Sequence, residues 1–387
     1  HIKKNTFRFY KVNIEDIRQK WRQYSKDNAI SIYCHDAGTA VRFLIPLIAA
    51  LGGGVKVTAS KQMSDRPIQA LLEALEFQGV EFSYGFYPGS LPLYVNINRN
   101  NYLKGGEVLV DTKESSQFIS GLLMTAPLAA MPTELMLTQT RRQSYIDMTV
   151  KMMHEFGFNF DTHNSGNHYL VDNKLNNKLN NKNMVYYIEP DASTASYFFA
   201  LAALTGNSIK VKGFDYRVSL QGDVAFLDVL SRMGAKVSYI SGYTQVEGPK
   251  ILQGFGLENP IDVSAFSDTF MTLAAIAPFA DKPIHITGIS HTRKQESDRV
   301  HAMAVGLKRL GVNVDEMPDD LIIYPAKISS LRGNTVSSYS DHRIAMSLAL
   351  IGVKVPGVVI EGAGAVSKTC PDYFALLDSC RKCQMSN

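Results

Sequence analysis

The sequence predicts an α/β protein built from repeated helix–strand units gathered into two similar domains. Three observations carry this. An amphipathic helix, a glycine and a short alternating strand recur four times, around Gly79, Gly157, Gly234 and Gly311. These glycines lie 78, 77 and 77 residues apart, and a fixed period of this length governs the fold assignment. A second phrase, small polar residues opening an apolar helix, keeps nearly the same beat.

The four copies of the first phrase span 71–82, 148–160, 226–239 and 302–314. Each glycine falls where the chain must leave a helix in left-handed geometry, which a β-carbon disfavours. The alternation that follows, such as Val80-Glu81-Phe82 or Val237-Ser238-Tyr239, reads as a strand. The second phrase occurs at Ala37-Gly38-Thr39-Ala40, Ser115-Ser116-Gln117-Phe118, Ala192-Ser193-Thr194-Ala195, Ser267-Asp268-Thr269-Phe270 and Asp341-His342-Arg343-Ile344. The helices it opens are apolar nearly all round, so they belong in domain cores. Their N-termini carry free N–H groups and partial positive charge, suited to an anionic ligand. Ordinary N-capping by Ser, Thr and Asp explains any single copy equally well.

The first 30 residues are a polar, aromatic-studded lead with helical character over 14–24. Residues 173–183 are low in complexity and read as an exposed loop or hairpin insertion. The boundary is placed just after them, giving domains over 1–187 and 188–387 with a cleft between as the default site. A helix over 373–380 closes the second.

With 387 residues, two domains are expected. Forty Lys and Arg against 36 Asp and Glu leave +4, too mild a charge to indicate nucleic acid or a membrane surface. The apolar stretch after Gly121 is interrupted by Pro127 and Pro132, so it reads as core rather than a membrane span. The four cysteines, Cys34, Cys370, Cys380 and Cys383, imply no disulfide framework. Cys380 and Cys383 have CxxC spacing but no second ligand pair, so no metal is expected. The simplest compartment is a reducing one, the cytoplasm. The chain opens at His1 without a signal-peptide pattern, and sequence upstream of it is expected.

Charged clusters gather at helix starts. Arg66 stands in Ser64-Asp65-Arg66-Pro67-Ile68, ahead of a helix that Pro67 is placed to open. Arg293, Lys294, Glu296, Asp298 and Arg299 crowd before another, Asp341-His342-Arg343 opens a third, and Lys368 stands in Ser367-Lys368-Thr369. Arginine binds carboxylate and phosphate bidentately, while Asp268, Glu296 and His342 are candidates for proton transfer. Any one cluster reads equally as solvated capping charge. Together they point to a polyanionic substrate.

These residues match a family. Ala37-Gly38-Thr39-Ala40-Val41-Arg42, Ser115-Ser116-Gln117-Phe118, Asp191-Ala192-Ser193-Thr194-Ala195-Ser196-Tyr197-Phe198, Gln221-Gly222-Asp223, Glu296-Ser297-Asp298-Arg299, Asp341-His342-Arg343-Ile344-Ala345-Met346 and Lys368-Thr369-Cys370-Pro371-Asp372-Tyr373-Phe374 resemble the 5-enolpyruvylshikimate-3-phosphate synthases. The likeness runs in order from about residue 34 to the C-terminus. It implies two domains of βαβαββ units with pseudo-threefold symmetry. It also implies transfer of the enolpyruvyl group of phosphoenolpyruvate to the 5-hydroxyl of shikimate 3-phosphate, a shikimate-pathway step toward aromatic amino acids. Carried over by position, Ser115, Ser116, Gln117 and Tyr145 hold shikimate 3-phosphate. Asp268 meets its ring hydroxyls and is the candidate base. Gly38, with Thr39 beside it, and Arg66, Arg299, Arg343 and Lys368 bind phosphoenolpyruvate. Glu296 is the proton shuttle, assisted by Lys368 and His342. The resemblance implies no metal or organic cofactor and no nucleic-acid or membrane partner, and a monomer is expected.

The chain departs from the family pattern in places. A Lys-Ser-x-Ser-Asn-Arg motif is absent from the short lead; Gln295 stands where Lys is usual, Asp36 where Asn is usual, and Arg142-Gln143-Ser144-Tyr145 replaces Ser-x-Pro-Tyr. Two alternatives stay open here. One is the related transferase acting on UDP-N-acetylglucosamine, against which Lys61 stands where that family places Cys. The other is a homologue that binds anions with altered or lost catalysis.

Overall fold

The computed structural model describes residues 6–9, 14–21, 23–24, 27–52, 54–96, 103–138, 143–163, 166–173 and 184–385. The low-complexity stretch from 174 to 183 and Arg142 lie outside them. The chain divides into two compact units, Phe7–Tyr186 and Tyr187–Asn387 with Thr6, each with its own apolar core.

In Phe7–Tyr186 the pattern βαβαββ occurs twice. The first copy runs Ile30–Tyr33, helix Gly38–Leu51, Val55–Thr58, helix Gln69–Phe77, Glu81–Tyr84 and Leu93–Asn96. Its sheet order is first, second, fourth, third strand; the first two are parallel and the remaining pairings antiparallel. The second copy, Gly106–Val110, helix Gln117–Thr125, Thr133–Leu137, helix Gln143–Glu155, Phe160–His163 and His168–Val171, repeats that order and those directions. The first helix of each copy is the apolar one, and the two pack on each other. Gly121 makes this possible: a Cβ there would stand 2.7 Å from the Arg42 carbonyl oxygen.

The unit Tyr187–Asn387 holds three variants of the pattern. Gly256–Asp262, helix Phe270–Ile276, Ile284–Thr287, helix Arg299–Arg309, Val314–Glu316 and Leu321–Ile323 form a complete copy with the same strand order. The copy before it has helices Ala192–Thr205 and Phe226–Arg232 and a three-stranded sheet of Ser208–Lys212, Lys236–Ile240 and Tyr243–Glu247. The strand ahead of it, Met184–Tyr187, pairs instead with Thr6–Phe9. The last variant is a parallel pair, Thr335–Ser337 and Val359–Glu361, with helices His342–Ile351 and Tyr373–Met385. Helices Ala192–Thr205, Phe270–Ile276 and His342–Ile351 pack on one another. Nearly every residue of these three is buried, as their all-round apolar sequences require. A fully buried Leu, Ile or Phe side chain contributes about 1.5–3 kcal/mol.

The four repeat glycines all have positive φ: +89° at Gly79, +81° at Gly157, +96° at Gly234 and +93° at Gly311. Two local expectations need correction. Among the described residues, side-chain bonds to the first helical N–H groups occur at three of the five apolar helices: Asp191 accepts from Ser193 N, Asp341 from Arg343 N and Ser115 from Gln117 N. The helices at Gly38, Gln117 and Phe270 have no capping bond from the preceding residue. Pro67 does not open its helix, which begins at Gln69; its carbonyl instead accepts a bond from Arg42.

Gly311→Ala should destabilise the chain by about 1–2 kcal/mol, the cost of left-handed backbone for a residue with a β-carbon. The added Cβ would also meet Ser330 O at 2.9 Å. Chemical denaturation checks this; an unchanged midpoint would refute the structural role of the glycine.

Candidate active site

The candidate residues fall into two groups, one in each unit. In Phe7–Tyr186 the centre is Gln117, the first residue of its helix. Its backbone N–H donates to Ser115 Oγ at 3.2 Å and its Nε2 to Thr39 Oγ1 at 3.1 Å. Its Oε1 accepts from Arg42 Nη1 at 2.9 Å. Arg42 is buried beneath this group, donates to Pro67 O at 3.0 Å and lies over the Phe118 ring. Gly38 packs against Arg66: a Cβ at Gly38 would stand 2.6 Å from Arg66 Nη1. The absence of a side chain therefore seats a guanidinium at the start of the helix. Ser115 and Ser116 are buried beside Gln117. Tyr145 lies in the next helix, where its carbonyl accepts from Thr149 Oγ1, which lies 2.9 Å from Ser120 Oγ.

In Tyr187–Asn387 the centre is Arg299, whose side chain is 2% exposed. Its Nε donates to Asp341 Oδ2 at 2.9 Å, Nη1 to Asp268 Oδ1 at 3.0 Å and Nη2 to Glu296 Oε2 at 2.6 Å. Nη1 also donates to Gln295 Oε1. Arg343 Nη2 donates to the other oxygen of Asp268 at 2.9 Å. Lys368 Nζ donates to the other oxygen of Glu296 at 2.9 Å. Asp341 has no exposed side-chain surface. Besides Arg299 it accepts from Ser297 Oγ at 3.1 Å and from Arg343 N at 2.9 Å. One residue thus caps a helix and holds the central arginine. Asp268, Glu296 and Asp341 balance Arg299, Arg343 and Lys368, so six charges that would be costly alone are mutually satisfied.

Proton affinities follow from this arrangement. Burial pushes Asp268 up, but Arg343 and Arg299 outweigh it and hold the carboxyl below its ordinary range. Burial also works against the charge on Arg299, yet Asp341, Glu296 and Asp268 more than restore it. His342 is pulled down to about 4 by burial and by Arg343. It is therefore neutral at pH 7. Its Nδ1 has no hydrogen-bond partner among the described residues and lies 3.7 Å from Asp341 Oδ1. Asp223, which accepts from Ser193 Oγ, is pushed up to about 7 by burial and the charge of Asp268.

All six candidates of this unit, Asp268, Glu296, Arg299, His342, Arg343 and Lys368, come into one cluster. Four participants were not singled out as site residues: Arg42, Gln295, Ser297 and Asp341. Each lies inside or beside a quoted motif; Gln295 has its partner Arg299 four residues on, but Arg42, Ser297 and Asp341 have theirs 75, 44 and 42 residues away, where nothing local marks them. Among the described residues no group of three His, Cys, Asp or Glu is placed to hold a metal ion, and no helix is long and apolar enough to cross a membrane.

Repeated βαβαββ units bearing arginines and carboxylates at helix starts define an α/β protein with a buried, charge-paired cluster of ionisable groups. Comparison with known proteins narrows this. The model of the family EPSP synthase (3-phosphoshikimate 1-carboxyvinyltransferase) matches residues 8–377. A 3-phosphoshikimate 1-carboxyvinyltransferase of Nostoc punctiforme is 39% identical over 341 residues, covering 87% of this chain and 76% of that protein. The 3-phosphoshikimate 1-carboxyvinyltransferase 2 of Halalkalibacterium halodurans is 39% identical over 358 residues, covering 90% and 75%. The EPSP synthase structure from Acinetobacter baumannii shares the fold, with TM-score 0.70 and 24% identity over 91% of this chain and 79% of that one. The chain belongs to the EPSP synthase family, a family of transferases.

His342 links the site to acid stability. Its folded value of about 4 lies below the ordinary 6.5, so the unfolded chain takes up the proton first. The stability this provides is complete above 6.5 and is lost as pH falls through that value toward about 4. His342→Gln should therefore lose less stability than the parent between pH 7 and 4 in thermal unfolding. Equal acid slopes would contradict the burial of a neutral imidazole.

Proposed function

We infer that this chain transfers the enolpyruvyl group of phosphoenolpyruvate to the 5-hydroxyl of shikimate 3-phosphate and releases phosphate, the shikimate-pathway step of its family. The observation that carries the site assignment is Arg299, bonded at once to Asp268 and Glu296, the two groups the reaction needs for proton transfer.

The 5-hydroxyl oxygen attacks C2 of phosphoenolpyruvate while C3 gains a proton, giving a tetrahedral adduct. The adduct then loses a proton from its C3 methyl group and expels phosphate, leaving the enolpyruvyl ether. In this reading Asp268 accepts the hydroxyl proton. It is ionised beforehand because two guanidiniums hold it so. An anionic substrate that engages Arg299 and Arg343 draws them from Asp268 and raises its basicity when substrate is present. Glu296 serves C3: it passes to C3 a proton drawn from the Lys368 ammonium that donates to it, and later takes one back from the methyl group. His342, neutral and beside Arg343, assists without adding charge. Gly38, Arg66, Arg299, Arg343 and Lys368 take the phosphate and carboxylate of phosphoenolpyruvate, with Thr39 at the same helix start. Ser115, Ser116, Gln117 and Tyr145 take shikimate 3-phosphate. Guanidiniums and helix N–H groups suit these anions better than ammonium groups alone. The residues invoked all belong to one chain, and a monomer is proposed.

Glu296→Ala should cut turnover by about 10²–10⁴-fold, the range for general acid–base groups, while shikimate 3-phosphate binding changes little. Steady-state rates and calorimetric titration test this; equal losses in both would remove the shuttle role. Arg66→Ala should chiefly raise the KM for phosphoenolpyruvate. An unchanged dependence of rate on that substrate would refute the assignment.

A further inference from the structure

The reaction asks Glu296 to stand within reach of one carbon, yet Glu296 lies in a short turn ahead of a helix. What fixes that turn is Arg293, which no step above uses. Arg293 Nη1 donates to both oxygens of Asp298 at 3.0 Å and to Glu316 Oε1 at 2.9 Å. Its Nη2 donates to Met317 O at 2.7 Å and its Nε to Pro318 O at 3.0 Å. A single guanidinium therefore joins the far end of its own turn to the hairpin between strands Val314–Glu316 and Leu321–Ile323. Asp298 is also the cap of the helix that begins at Arg299, accepting from His301 N at 2.9 Å. The same hairpin supports the start of the segment: Asp319 Oδ1 accepts from Ser290 N at 2.6 Å.

Between Arg293 and Asp298 lie Gln295, Glu296 and Ser297, the three residues that bond Arg299, Lys368 and Asp341. The ion pair between Arg293 and Asp298 closes this turn like a bracket. The geometry points to Arg293 as a positioning residue that holds Glu296 at the reacting carbon by bracketing its turn against the hairpin. The inference rests on the proton-shuttle reading of Glu296. Lysine cannot substitute, because a point ammonium has no planar fork to satisfy two carboxylates and two carbonyls together. Truncation leaves Asp298 free to cap its helix, so the loss should fall on placement.

The test is Arg293→Ala, Arg293→Lys and Glu316→Gln in the full chain, with Glu296→Ala alongside and folding followed by circular dichroism. Three readings are taken: kcat, KM for both substrates, and exchange of the C3 hydrogens of phosphoenolpyruvate with solvent deuterium. Arg293→Ala and Arg293→Lys should each lower kcat by about 10–100-fold, the scale of a misplacement near 1 Å. Both KM values should stay within about threefold, a weak change in binding, and deuterium exchange should slow with kcat. Glu316→Gln should show the same split to a smaller degree, and it carries the test should Arg293→Ala not fold. Retained kcat and exchange in Arg293→Lys and Glu316→Gln would overturn the inference. So would a rise in KM at constant kcat. If Glu296→Ala itself leaves exchange intact, the shuttle reading fails. Loss of exchange in Glu296→Ala but not in the Arg293 variants sinks the bracket alone.

Discussion

The buried guanidinium of Arg299 is the interaction on which the catalytic unit depends. An arginine 2% exposed cannot shed its charge, so the structure must supply counter-ions. It supplies three, Asp268, Glu296 and Asp341, from three different segments. Two of them are the groups to which the proposed mechanism gives proton transfer. The demand for charge neutrality thus gathers these carboxylates around one point. Both carboxylates are also held by a second cation, Asp268 by Arg343 and Glu296 by Lys368.

That point exists because the apolar helices are where they are. Helices Ala192–Thr205, Phe270–Ile276 and His342–Ile351 bury nearly all their side chains against one another. Their first turns therefore gather polar groups at one end of an apolar core. Asp341 serves both levels, since one oxygen caps its helix and the other holds Arg299. In the other unit the same architecture places Thr39, Gln117 and Arg66 at the starts of Gly38–Leu51 and Gln117–Thr125, with Arg42 tying them together from below. Gly38 and Gly121 show the packing cost of this closeness. One leaves room for a guanidinium and the other for a neighbouring helix backbone.

Much of this is legible along the sequence because it is local. The four glycines at a constant period announce helix ends that must turn left-handed, and all four do so. The all-round apolar helices announce burial in the same way. The polar openings are legible as positions but not as bonds. Ser116 and Thr269 look like caps and make no capping bond: the Thr269 hydroxyl donates instead to Phe266 O, and it is Ser115 that accepts from Gln117 N. The network around Arg299 is legible only as a set of motifs: the bond from Arg299 to Asp341 spans 42 residues and that from Arg343 to Asp268 spans 75. Gln295 illustrates the limit. As a sequence it is a missing lysine; in the structure its amide oxygen accepts directly from Arg299, a bond an ammonium cannot make.

The proposed transfer requires both anions to be present for chemistry. The most direct measurement is phosphate release by the 387-residue chain given phosphoenolpyruvate and shikimate 3-phosphate, with each omitted in turn. Release should occur only when both are supplied, in step with loss of phosphoenolpyruvate. Release from phosphoenolpyruvate alone at the same rate, or none from the folded chain with both present, would contradict it.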